Sequence, residues 1–148
     1  MQTGLKVAYL WHDFAALEIQ ISASNGEFAG VSEPYVELQG VAAAAGKLEG
    51  FPATPNDLRD LEFGAQRVGL AGGYARLHFF CLDLAGHAAV EIWMETKQGY
   101  RASSGREIPA QSVHMVSLIE PAAIDDFVRE LRDLNEAFHG SAILRFAN

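Results

Sequence analysis

The sequence predicts an α+β fold: an antiparallel, twisted sheet of about seven or eight strands with two helices packed on one face. A single domain is expected over residues 1–148. Three observations lead there. Several runs alternate apolar and polar residues with the period of two that marks a half-buried strand. Two stretches, Leu38 to Gly50 and the one after Pro121, space their apolar residues for one face of a helix. The third observation is an internal echo. Leu17-Glu18-Ile19-Gln20-Ile21 leads to Asn25-Gly26, and Val90-Glu91-Ile92-Trp93-Met94 leads to Gln98-Gly99. Glu18/Glu91, Ile19/Ile92, Ile21/Met94 and Gly26/Gly99 keep one spacing. Val41/Ile124, Ala44/Phe127, Leu48/Leu131 and Phe51/Leu134 keep a longer one. The chain therefore reads as two strand–strand–helix halves, expected to be related by a pseudo-twofold.

Leu5, Val7, Tyr9 and Trp11 alternate with Lys6, Ala8 and Leu10, which predicts a first strand interrupted at His12-Asp13. Leu17, Ile19 and Ile21 predict a second. Asn25-Gly26 predicts a tight hairpin, because both residues tolerate positive φ, with a return strand from about Phe28 to Val36. Leu38, Val41, Ala45, Leu48 and Phe51 then fall near one helical face, Ala42 to Ala45 favour helix, and Gly50 and Pro52 end it. After a loop from Pro52 to Asp60, Leu61 to Val68 reads as extended, and Gly69 to Gly73 as a break.

The strongest strand pair is Tyr74 to Asp83 with His87 to Thr96, turning at Leu84-Ala85. Placing Asp83 opposite Gly86 sets Ala75, Leu77 and Phe79 across from Met94, Ile92 and Val90 on an apolar face. The other face carries Tyr74, Arg76, His78 and Phe80 across from Glu95, Trp93, Glu91 and Ala89. A slip of one residue would mix charge into the core. Gln98 to Arg106 reads as an exposed loop, and Ser112 to Ile119 as a strand. Pro121 suits a first helical position. Ile124, Phe127, Val128, Leu131, Leu134 and Phe138 form the helical stripe, Asp125 and Asp126 are placed in the first turn, and Gly140 ends the helix. Ala142 to Phe146 supplies a last edge strand.

With 49% hydrophobic and 20% charged residues, a chain of this length can bury roughly two thirds of its extended surface. Neither a metal nor a disulfide is needed to hold it, and no cofactor is expected. Cys81 is the lone cysteine, so the natural setting is reduced and cytoplasmic. No secretory signal is visible, and no apolar run approaches the ~20 residues of a membrane helix. Eleven basic residues against 19 acidic ones leave a charge of −8, which repels nucleic-acid phosphates and attracts a basic partner.

Candidate chemistry is sparse. In His12-Asp13 the neighbours point to opposite faces of an extended chain, so Asp13 is poorly placed to orient the imidazole and reads as a turn residue. His78, directly opposite Glu91, reads as a cross-strand pair, and His87 lies too far along to complete a metal site. Cys81 falls on the apolar face, where a thiol is inert. Gly69 to Gly73 lacks the following helix that a phosphate loop requires. No catalytic or metal-binding set emerges. The mixed face of Tyr74, Arg76, His78, Phe80, Glu91, Trp93 and Glu95 remains as the candidate binding surface, because Trp, Tyr and Arg dominate binding hot spots; the alternative is an ordinary solvated sheet face on which Trp93 packs against the stem of Arg76.

The runs Leu17-Glu18-Ile19-Gln20-Ile21, Tyr74 to Asp83, Gly86 to Ile92 and Ile119-Glu120-Pro121 through Leu131 resemble a group of small, functionally uncharacterised bacterial proteins. In these, strands precede a terminal helix opened by Glu-Pro. The resemblance covers about Leu17 to Leu134 and its motifs are structural. It implies an immunity-like role, since some proteins of this build are suspected to neutralise secreted toxins, and it supplies no catalytic residue. The expectation is a non-catalytic protein-binding domain, immunity-like or adaptor, rather than an enzyme. The alternatives are a structural homodimer and a small-molecule-binding domain or enzyme with a pocket between sheet and helices.

Overall fold

The alternating runs become strands and the two helical stripes become helices in a computed structural model that describes residues 2–65, 72–96 and 99–147. The first half contains β1 (Gly4–His12), β2 (Leu17–Ser24), β3 (Ala29–Ser32), β4 (Tyr35–Val36) and α1 (Gly40–Leu48). Then follow β5 (Arg59–Gly64), β6 (Tyr74–Cys81), β7 (Ala88–Glu95), the short β8 (Tyr100–Arg101) and β9 (Glu107–Ile108), β10 (Ser112–Ile119), α2 (Pro121–Ala137) and β11 (Ser141–Leu144). The fold is α+β with antiparallel sheets, as expected.

The single sheet expected is instead divided. A first sheet runs β11-β1-β2, with β3 and β4 both paired to β2; a second runs β10-β7-β6-β5; β8 and β9 form a separate hairpin. Two local causes raise the strand count. The return strand from Phe28 to Val36 breaks before Pro34, which has no N–H to give a ladder. The polar stretch expected as a loop pairs Tyr100 with Ile108 and Arg101 with Glu107.

The echo has a topological counterpart. α1 is followed by β5, which joins the second sheet beside β6, and α2 by β11, which joins the first sheet beside β1. The strand that follows each half's helix therefore joins the other half's sheet. Ile19 and Ile21 on β2, and Ile92 and Met94 on β7, enter the same core as Val41, Ala44 and Leu48 of α1 and Ile124, Phe127 and Leu131 of α2. One hydrophobic cluster spans both sheets and both helices, so neither half buries its apolar face alone.

The β6–β7 register is the one predicted: Ala75, Leu77 and Phe79 lie opposite Met94, Ile92 and Val90. The strands stop earlier than expected, because Asp83 Oδ1 accepts hydrogen bonds from the Ala85 and His87 amides and closes a longer turn. Asn25 also works differently from expectation. Of the Asn25-Gly26 pair only Gly26 has positive φ (93°), while the Asn25 side chain accepts from the Glu27 and Phe28 amides. Asp125 and Asp126 lie one turn too late to meet the helix N-terminus, since α2 starts at Pro121; Asp126 pairs with Arg129 at 3.0 Å. Phe138 leaves the expected helical stripe for the left-handed cap (φ 47°, ψ 51°) and stacks on His12 at 4.4 Å.

Three tertiary hydrogen bonds join elements far apart in sequence. Asn135 of α2, 2% exposed, accepts from the Ala42 amide at 2.7 Å and donates to the Leu38 carbonyl at 2.8 Å. It thereby caps α1, whose own N-cap residue Gln39 offers no side-chain bond. Ser32 of β3 donates to the Glu95 carbonyl of β7 at 2.6 Å, linking the two sheets. Gly73 sits at that link, where a Cβ would lie 2.8 Å from the Glu95 carbonyl and 3.0 Å from the Glu33 amide. Residues 66–68 of the expected extended run, Gly69 to Ala71 of the glycine break, and Gln98 lie outside the described residues. No helix among the described residues is long and apolar enough to cross a membrane.

Candidate functional site

Antiparallel pairing across four strands sets the outer face of the second sheet into rows. Glu62, Arg76, Trp93 and His114 form one row, and Asp60, His78, Glu91 and Val116 the next. Gly64, Tyr74, Glu95 and Ser112 form the row on the far side of the Trp93 row. The predicted residues Tyr74, Arg76, His78, Phe80, Glu91, Trp93 and Glu95 all lie on this one face. Ile92 and Met94, their neighbours on β7, are buried beneath it.

The face is a network of polar pairs around an indole. Arg76 donates through Nε to Asp60 Oδ1 at 3.0 Å, and its Nη2 lies 2.8 Å from the same oxygen. His78 Nδ1 meets that oxygen at 3.1 Å, and the His78 ring stacks on Phe80. Glu91 does not pair with His78 as the register alone suggests. It bonds Nε2 of His114 at 2.7 Å instead, because β10 brings an imidazole to its other side. Trp93 is 38% exposed, with its ring tilted against His114 at 5.9 Å. Tyr74 is the buried member of the set. Desolvation first, then the nearby Glu62 carboxylate, which accepts its hydrogen bond, push its hydroxyl above the ordinary tyrosine range.

Tyr74, Arg76, His78, Glu91, Trp93 and His114 surround a depression of about 230 Å³. Sites that enclose small molecules usually run about 300–1,000 Å³, so the shape suits a side chain from another surface better than an enclosed ligand. Four carboxylates, Asp60, Glu62, Glu91 and Glu95, face one guanidinium, giving the face an acidic bias.

Asp60, Glu62 and His114 were not among the predicted residues. The alternation of Ser112 to Ile119 places His114, Val116 and Leu118 on one face, a signal readable in sequence. Which strands flank β6 and β7 depends on long-range pairing that no local pattern records.

Asp13 accepts from the Ala15 and Ala16 amides and closes the β1–β2 turn, while His12 bonds the Tyr9 hydroxyl at 2.8 Å. Cys81 is half-buried rather than fully buried, packed at the core margin with its thiol 3.9 Å from the Thr54 carbonyl. Among the described residues no group of three or more His, Cys, Asp or Glu converges to hold a metal ion. No protein-family model, curated protein or solved structure matches the chain.

Proposed function

We propose that the protein is a non-catalytic binding module, immunity-like or adaptor in role, whose second sheet receives a basic protein partner. The observation that carries this reading is Trp93: a large aromatic ring left 38% exposed on the outer face of the second sheet and bordered by the carboxylates of Glu91 and Glu95. Trp is among the residue types most enriched in binding hot spots. The acidic rim, together with the −8 charge of the chain, would steer a cationic surface toward it. The resemblance to immunity-like proteins points the same way.

The test compares wild-type, Trp93→Ala and Glu91→Gln/Glu95→Gln baits in capture from native cells, followed by affinity measurement on any protein recovered. The expected result is one partner with a basic interface, bound about 30-fold or more weakly by the Trp93→Ala form and more weakly by wild type as salt rises. Equal capture by all three baits would sink the reading. Val116 and Leu118, each 46% exposed along β10 on the same face as Trp93, favour self-association as the second reading. A dimer in sedimentation velocity that Trp93→Ala dissolves would select it.

A further inference from the structure

The outer face of the first sheet carries a second concavity, larger than the one around Trp93 and opposite to it in charge. Cross-strand pairing sets Ile143, Lys6, Ser22 and Val31 in one row over β11, β1, β2 and β3. The adjacent row runs through Gly4, Ser24 and Ala29, with Arg145 following the end of β11. Small residues in that second row leave a hollow where larger side chains would stand. Gly4 cannot readily be larger: its φ is +136°, and a Cβ would lie 3.1 Å from the Leu144 carbonyl. Together with Phe146 these residues line a groove of about 730 Å³, within the range of about 300–1,000 Å³ typical of small-molecule sites.

The charge of this groove is the unexpected part. The chain carries −8, yet among the described residues the lining includes two cations, Lys6 and Arg145, and no carboxylate. Arg59, Arg76, Arg101, Arg129 and Arg132 each pair with a carboxylate. Lys6 and Arg145 have no such partner among the described residues. Ser22, and Thr3 near the N-terminus, add hydroxyls, while Val31, Ile143 and Phe146 add apolar surface.

We infer that this groove binds a small amphiphilic anion, its head held by Lys6 and Arg145 and its aliphatic body lying against Val31, Ile143 and Phe146. An ammonium and a guanidinium suit either a carboxylate or a phosphate head, the guanidinium through paired N–H donors. A bare inorganic anion would leave the apolar wall unused. The site lies on a different sheet from Trp93 and does not depend on the protein-binding role.

The experiment titrates the intact chain with octanoate, octyl phosphate, octanol and inorganic phosphate, following amide resonances of Ser22, Ser24 and Val31 by NMR. Octanoate or octyl phosphate should saturate these shifts at submillimolar to low-millimolar concentration, and whichever binds at least 10-fold tighter identifies the head group. Octanol and inorganic phosphate should each bind at least 10-fold more weakly than the better anion. Lys6→Gln/Arg145→Gln should weaken that anion at least 10-fold while leaving octanol binding unchanged. Val31→Glu, at a position 51% exposed, should also weaken that anion at least 10-fold, by placing a carboxylate in the groove and removing part of its apolar wall, with an unchanged melting temperature showing that the fold survives. Absence of saturable shifts with both alkyl anions would overturn the inference. So would octanol binding as tightly as octanoate, or affinity untouched by the charge variants.

Discussion

The hydroxyl of Ser32 on β3 donates to the backbone carbonyl of Glu95 on β7, 63 residues away in sequence, at 2.6 Å. It is a hydrogen bond between two sheets that share no ladder, made by a side chain only 2% exposed. The Tyr74 carbonyl lies 3.3 Å from the same hydroxyl, so one small polar group serves the backbones of both β6 and β7 where β3 crosses them.

Ser32→Ala should therefore cost more than an average surface change. Removing the donor leaves a half-buried carbonyl without that bond, a loss of about 1–3 kcal/mol. Urea melts of Ser32→Ala against wild type measure it. A loss below about 0.5 kcal/mol would mean that water replaces the hydroxyl freely and that the sheets are joined by apolar packing alone.

Asn135→Ala tests the corresponding link between the helices. The side chain satisfies one amide at the start of α1 and one carbonyl just before it, and Gln39 offers no substitute. The expected cost is about 1–3 kcal/mol, with hydrogen exchange at Ala42 and Ala43 accelerating beyond the global change in stability. Uniform acceleration across the whole chain would show that the bond does not specifically hold the start of α1.

Local pattern made much of this fold legible. The β6–β7 register follows from charge and apolar alternation on two contiguous runs, and slipping it by one would put Arg76 and Glu91 into the core. α2 follows from a six-residue apolar stripe behind Pro121. The halves were visible as an echo because each repeats the same burial demands. What escaped is nonlocal. Asn135 reads as one more polar residue on an amphipathic helix until α1, 93 residues upstream of it at Ala42, is set beside it. The exchange of β5 and β11 between sheets leaves no local mark either. The candidate face was accordingly found by its two central strands, and its flanking Asp60 and His114 were missed.

His87 and Asp83 form an ion pair across the β6–β7 turn that should show in titration. The hydrogen bond to Asp83, then the charge of that carboxylate, hold the His87 pKa above its ordinary value. The bond from His87 is likewise the main cause that lowers Asp83. A histidine with a raised folded pKa contributes stability in full below its unfolded pKa and loses it as pH rises through the folded one. A lowered carboxylate contributes above its unfolded pKa and loses that as pH falls through its folded one. The stability difference between wild type and Asp83→Asn should thus be widest between the two folded values and shrink on either side. NMR titration should find the His87 pKa lower in Asp83→Asn than in wild type. An identical titration in both proteins would show the pair to be absent in solution.

Adjacent residues on β7 should respond oppositely to truncation. Ile92 is fully buried and faces Leu77 in the core, while Trp93 points outward, 38% exposed, opposite Arg76. Ile92→Ala removes buried apolar volume that its neighbours cannot fill, at a cost of about 2–5 kcal/mol. Trp93→Ala loses only the contact of one ring edge with His114 and the surrounding stems, which should cost about 1 kcal/mol or less. Chemical denaturation of both variants provides the comparison. Losses of similar size would mean that the outer face is covered in solution, by the chain itself or by a second copy, and sedimentation velocity separates those cases. A stable, monomeric Trp93→Ala protein would place the indole on open surface, where the binding measurement proposed for this face decides whether a partner uses it or it is plain solvated surface.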